Sequence, residues 1–195
     1  VLVHAGDLTG HGSLGELGSA VQWLGKLPHK RKIVIAGNHD FCFQHGLGAR
    51  SMFADDTEYL EDSATVYNGV KFYGSPYQPE FGGWAFNLKR GSQLADRWSK
   101  IPDDTEVLIT HGPPFGILDW LKTTGMDGIG LDTEYVGCED LLRRVKELPK
   151  LKLHVFGHIH LHGGQTMEME GKRFVNAAVC DERYFPVTKI QVVEL

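Results

Sequence analysis

The stretch KIVIAGNHD (residues 32–40) constrains this chain more than any other. Its apolar, β-branched run, Ile33-Val34-Ile35, reads as a buried strand, and the run stops at Gly37 with Asn38, His39 and Asp40 directly behind it. In open α/β sheets, function collects beyond the carboxyl ends of strands, where a rigid scaffold holds the loops. The same punctuation recurs in VLVHAGD (1–7), EVLITHGPP (106–114) and LKLHVFGHIH (151–160). Singly, each is a turn carrying a polar residue. Together the four predict one metal site assembled from four strand ends.

The intervening sequence fits a layered α/β domain. Residues 14–27 place Leu17, Val21, Leu24 and Leu27 at helical spacing, with a stop near Pro28. A strand on either side makes a βαβ unit and implies parallel pairing. Residues 41–53 read as a helix broken by Gly46 and Gly48, and Asn68-Gly69 predicts a hairpin between residues 65–67 and 70–73. Residues 77–87 are aromatic and aperiodic, a long surface loop; residues 93–101 are a short helix. A second long loop is expected over 112–137, which holds six glycines. Residues 138–148 read as a helix, 152–156 as a strand, and 165–169, 174–179 and 189–194 as short antiparallel strands. The expectation is one domain over residues 1–195, mixed α/β with two packed sheets.

Composition narrows the chemistry. The chain of 195 residues carries ten histidines, three of them in His158-Ile159-His160-Leu161-His162. Its three cysteines, Cys42, Cys138 and Cys180, are far apart and form no metal or disulfide pattern, which suits a reducing compartment and a cytoplasmic location. A formal net charge of -5 argues against binding to a nucleic-acid polymer, which needs a basic face. No apolar run approaches the roughly 18 residues of a membrane span.

Carboxylate, carboxamide and imidazole donors without thiolate suit Mn, Fe or Zn ions. Asp7 can bridge two ions through its two oxygens, Asn38 offers a neutral oxygen, and His111, His158 and His160 offer imidazoles. On an extended segment His158 and His160 face the same side. Glycines 37, 112 and 157 are expected to let the backbone turn and to leave room for an anion. Two metals about 4 Å apart activate a shared hydroxide and clamp an in-line displacement at phosphorus, and His39, free of ligation, can donate a proton to the leaving group. Asp40 is expected to orient the loop or His39. His11 and His162, adjacent to motif residues, are candidates to support the ligands or contact substrate, and Trp84 and Phe86 are expected first as packing residues, with a face for a nucleobase as the alternative. His4 is expected to be structural, and His29, His45 and His154 to be surface or packing residues.

The segments Gly6-Asp7, GNHD (37–40), THGPP (110–114) and GHIH (157–160) resemble motifs II to V of the calcineurin-like metallophosphoesterases. The longer stretches 73–91, 108–119 and 152–160 are similar to the metallophosphoesterase-domain-containing subfamily. The resemblance implies an α/β/β/α sandwich, two mixed sheets packed face to face with helices outside. It also implies Asp7 as the bridging ligand, Asn38, His111 and His158 on one metal, His160 on the other, and His39 as the catalytic histidine. In animal members of that subfamily glycine replaces the residue at the place of His158, which weakens metal binding. The family's first motif, Asp-x-His, belongs upstream of Gly6; His4 and His11 do not fit it, so a first strand is expected to be missing from a truncated sequence, the alternative being a degenerate half-site.

The expected function is a metal-dependent phosphodiesterase acting on small phosphoesters, with cyclic nucleotides the class the resemblance suggests. A phosphomonoesterase or phosphoprotein phosphatase on the same metals, and a non-catalytic nucleotide- or protein-binding module, are the alternatives.

Overall fold

The four strand ends fall in two sheets that face one another. The structure, a computed structural model, describes residues 1–46, 48–124 and 131–195. The smaller sheet is parallel and holds β1 (Leu2–Ala5), β2 (Lys32–Ile35) and β3 (Thr57–Tyr59), in that order. The larger is mixed. It contains β4 (Ser63–Tyr67) and β5 (Val70–Ser75), joined across Asn68-Gly69, and β8 (Val107–Thr110), β11 (Leu153–Phe156), β12 (Thr166–Met169) and β13 (Lys172–Asn176). Its order is β12-β13-β11-β8-β5-β4, with the four inner strands parallel and both edge pairs antiparallel. Two short pairs lie outside these sheets: β6 (Gln78–Pro79) with β7 (Asn87–Leu88), and the hairpin of β9 (Trp120–Thr124) with β10 (Leu131–Tyr135).

The apolar runs are continuous because both faces of the strands are covered. Every residue of β2, β8 and β11 is buried. Between the sheets, Ala5, Ile33 and Ile35 pack against Phe72, Val107, Ile109, Val155 and Val175. Outside the larger sheet, α3 (Ser92–Trp98) and α4 (Glu139–Glu147) cover it, with Leu94, Trp98, Leu141 and Val145 against Tyr73, Leu108, Phe156 and Phe174. Outside the smaller sheet lie α1 (Leu14–Gly25) and α2 (Phe41–Gln44), which contribute Leu17, Cys42 and Phe43 to a third cluster. The result is four layers, helices, sheet, sheet, helices. Helix α1 begins in a capping box: Ser13 and Glu16 each bond the other's backbone N–H, satisfying two of the amides a helix start leaves open.

Two expectations need correction. Residues 112–137 are not one aperiodic loop, because the antiparallel pair β9–β10 lies within them, with Trp120 opposite Tyr135; residues 125–130 of that stretch lie outside the described residues. The segment 189–194 alternates like a strand but pairs with none among the described residues, and Ile190 and Val192 stand 69% and 92% exposed. Residues 57–59 add a further strand, β3, beside β2.

Candidate metal centre

Parallel pairing within each sheet brings the carboxyl ends of β1, β2, β8 and β11 to one rim, where Asp7, Asn38, His39, His158 and His160 line a cleft of about 660 Å³. His111 lies buried just beneath it. One oxygen of Asp7 and one nitrogen each of His111 and His158 lie within 4.8 Å of one another. Asn38 Oδ1 is 2.8 Å from His111 Nε2, so the fourth expected donor meets the same point.

The backbone is bent to achieve this. Asp7 and His158 sit at φ 59° and 66°, a region that side-chain-bearing residues enter at a cost of about 1–2 kcal/mol. Close approach is the second requirement. A Cβ at Gly37 would fall 2.5 Å from both the Asp7 amide nitrogen and His111 Cε1. Gly6, at φ 97°, is equally confined, a Cβ there falling 2.6 Å from His111 Nδ1. At Gly112 and Gly157 a Cβ would meet its nearest atoms at 3.7 and 3.8 Å, ordinary contact distances, so these two positions are not crowded.

The electrostatics suit a cation. Both nitrogens of His111 face oxygen: Nδ1 donates to the Ala5 carbonyl at 2.8 Å, and Nε2 faces Asn38 Oδ1 and, at 3.4 Å, Asp7 Oδ2. Burial opposes charge on this ring, but Asp7 and the hydrogen bonds outweigh it and raise its pKa. Burial alone would raise the Asp7 carboxyl. The His111 imidazole and the His39 backbone N–H on Oδ1 instead hold it well below the usual carboxylate range. His158 is lowered to about 3, by burial first and by the charge of His111 second, so it is a neutral ring. Neither of its nitrogens has a hydrogen-bond partner among the described residues. A carboxylate, a carboxamide and a neutral imidazole facing a second imidazole thus fit a metal ion, which can take the place of the His111 Nε2 proton.

His39 lies beside this group and is differently held. Its Nδ1 donates to the Gly10 carbonyl at 2.7 Å, which leaves Nε2 as the free nitrogen. Trp84 packs on the ring with centroids 4.4 Å apart. It is brought there by the Ala85 N–H, which donates to the Asn38 carbonyl at 3.1 Å. His160 is outside the tight group; its Nδ1 donates to the Asp181 carbonyl at 2.9 Å, and its ring lines the cleft.

Asp40 orients the loops, as expected. Its buried carboxylate accepts from the N–H groups of Leu8, Thr9 and Gly37 and from the Thr9 hydroxyl.

Of the four candidate substrate contacts, Trp84 alone lines the cleft. Phe86 is a core residue, in line with its packing reading, and lies among Leu17, Phe43 and Ala85 because the loop turns inward at its φ of 57°. His162 is buried behind the motif, its Nε2 donating to the Trp120 carbonyl at 2.9 Å. His11 points to solvent, next to Glu16 at the start of α1. Adjacency in sequence misled in both cases, since the chain turns away directly after each motif. The cleft also draws on Glu80, Phe81, Arg90, Glu134, Glu182 and Tyr184, which no motif marked.

A family model described as calcineurin-like phosphoesterase matches residues 1–162. Metallophosphoesterase domain-containing protein 1 of Homo sapiens is 39% identical over 218 residues, which take in all of this chain and 64% of that protein. A UPF0046 protein of Caenorhabditis elegans is 38% identical over 94% of the chain and 68% of its own length. An Emericella nidulans protein named probable rhamnogalacturonate lyase C is 36% identical over 94% of the chain and 17% of its own length. The chain therefore spans less than two thirds of the human relative. A match over most of the chain, on the four strand ends that build the rim, shows that the chain belongs to the calcineurin-like phosphoesterases.

Proposed function

We propose that this chain is a metal-dependent phosphodiesterase for small esters, cyclic nucleotides among them. Metal-dependent hydrolysis of phosphoesters is the chemistry of its family. The observation that carries the reading is the convergence of Asp7, His111 and His158 donor atoms within 4.8 Å, with His39 alongside. In this reading Asp7, Asn38, His111 and His158 hold one ion, and Asp7 and His160 contribute to a second, with Mn, Fe or Zn suited to the oxygen and imidazole set. Bound there, the ions supply a nucleophile at neutral pH and neutralise charge on the phosphoryl oxygens.

The chain's own acid is His39. Its Nδ1 proton is committed to Gly10, so Nε2 is the nitrogen that serves the leaving oxygen. As the oxygen of water bonds to phosphorus, the bond from phosphorus to the alcohol oxygen breaks. His39 would act in its imidazolium form: its Nε2 proton passes to that oxygen, and a proton released by the attacking water restores the ring.

The charge of the cleft favours diesters. Arg90 is the one Lys or Arg lining it among the described residues, and its guanidinium is committed to the carbonyls of Val136 and Gly137 and to Glu139. Glu80, Glu134 and Glu182 also line it. A monoester dianion brings one more negative charge against these carboxylates than a diester does. Trp84 and Phe81 offer flat faces to a nucleobase.

The test is hydrolysis by the manganese-loaded chain of bis(p-nitrophenyl) phosphate, p-nitrophenyl phosphate and 3′,5′-cyclic AMP. The diesters are expected to turn over faster, with loss in Asp7→Asn. Faster turnover of the monoester would reverse the assignment.

A further inference from the structure

A strained residue meets the site that no motif marked. Tyr184 sits at φ 64°, where a bulky side chain crowds its own backbone, and it is 64% exposed, so burial does not offset the strain. A tight turn imposes the conformation. Asp181 Oδ1 accepts from the N–H groups of Arg183 and Phe185 at 2.9 and 3.0 Å, and the Tyr184 N–H donates to the Asp181 carbonyl at 2.9 Å. That same carbonyl accepts from His160 Nδ1, which ties the turn to the GHIH segment. The Tyr184 ring stands edge-on to two site imidazoles, His160 with centroids 5.4 Å apart and His39 with centroids 6.0 Å apart.

Among the described residues His39 has one hydrogen bond from its ring, to Gly10, and a ring held at one atom can still swing about it. Its aromatic neighbours, Trp84 and Tyr184, limit that swing. We propose that Tyr184 is a positioning residue, held by the 181–185 turn so that its ring keeps His39 Nε2 aimed at the leaving oxygen. The inference rests on the reading of His39 as the acid. It requires the ring and not the hydroxyl, and it gives the strained backbone a purpose.

The test compares His39→Ala, Tyr184→Phe, Tyr184→Ala and Tyr184→Gly in the manganese-loaded chain on two diesters. Bis(p-nitrophenyl) phosphate has a leaving group that departs without a proton; 3′,5′-cyclic AMP expels an alkoxide that needs one. Tyr184→Ala is expected to lower kcat on the cyclic nucleotide about tenfold and on the aryl ester much less, with KM and bound manganese as in the wild type. His39→Ala should show the same leaving-group dependence more strongly, and Tyr184→Phe should stay within about threefold of wild type. Without metal, Tyr184→Gly should melt about 2–4 °C above Tyr184→Ala, because only glycine relieves the positive φ. Equal losses on both esters in Tyr184→Ala, or none, beside a leaving-group-dependent His39→Ala would overturn this inference alone. A His39→Ala variant without that dependence, or a wild type inert to the cyclic nucleotide, would overturn the acid assignment and this inference with it.

Discussion

His111 Nδ1 donates a 2.8 Å hydrogen bond to the carbonyl of Ala5, 106 residues away and in the opposite sheet. The bond fixes the tautomer and turns Nε2 toward Asn38 and Asp7, so one contact both joins the sheets at the rim and aims a site nitrogen. His111→Ala should therefore fail twice. Loss of a buried donor opposite a carbonyl is expected to cost about 2 kcal/mol, and manganese should no longer raise the melting temperature. A variant that melts like the wild type and still gains from manganese would remove the dual role.

Glycines 37 and 157 should behave oppositely on substitution by alanine. Gly37→Ala drives a methyl to 2.5 Å from His111 Cε1, a contact that must displace the site, so manganese binding should be lost along with several °C of melting temperature. Gly157→Ala meets its nearest atom at 3.8 Å without a positive φ and should melt within about 2 °C of wild type. Scanning calorimetry with and without manganese decides both. Similar destabilisation by the two substitutions would show that the crowding is not where the geometry puts it.

At His158 the interests of the backbone and of the site diverge. The φ of 66° suits glycine, while the imidazole suits the ion. His158→Gly is expected to be about 1 kcal/mol more stable than His158→Ala without metal, and both should bind manganese far more weakly than the wild type. Chemical denaturation and metal titration read the two effects separately. Equal stability of the two variants would mean that no strain resides there.

His154 provides a pH signature away from the rim. It is wholly buried beside Phe156 and Phe174, with Nε2 2.8 Å from the Thr110 hydroxyl, and burial lowers it to about 3. An unfolded histidine titrates near 6.5, so between pH 6.5 and 3 the unfolded chain binds the extra proton. Its contribution to stability is complete above pH 6.5 and declines by about 1.4 kcal/mol per pH unit below it. His154→Gln should flatten that acid limb in denaturation measured from pH 7 to 4.5. An unchanged slope would assign the acid sensitivity to other groups.

How much the sequence disclosed depends on how local the cause was. Strand, glycine and polar residue stand together in GNHD and GHIH, so the rim could be anticipated residue by residue, and the apolar spacing of Leu17, Val21 and Leu24 marked α1. Features set by distant neighbours stayed hidden. Gly6 is confined by His111, more than a hundred residues later, whereas Gly157, inside a motif, is free of crowding. The alternation of Ile190 and Val192 imitates a strand that finds no partner among the described residues. Nor does the segment Asp181–Tyr184 repeat or alternate; an aspartate able to cap its own turn, followed by an aromatic, was the available signal.

The carboxylate of Asp40 carries one last consequence. It ties Leu8 and Thr9 from the first strand end to Gly37 from the second, through four donors to a single side chain. The loops bearing Asp7 and Asn38 are thereby welded into one mechanical part before any ion arrives. An ion binding at these two loops is therefore expected to order little of them, and chelation to leave this part of the architecture standing.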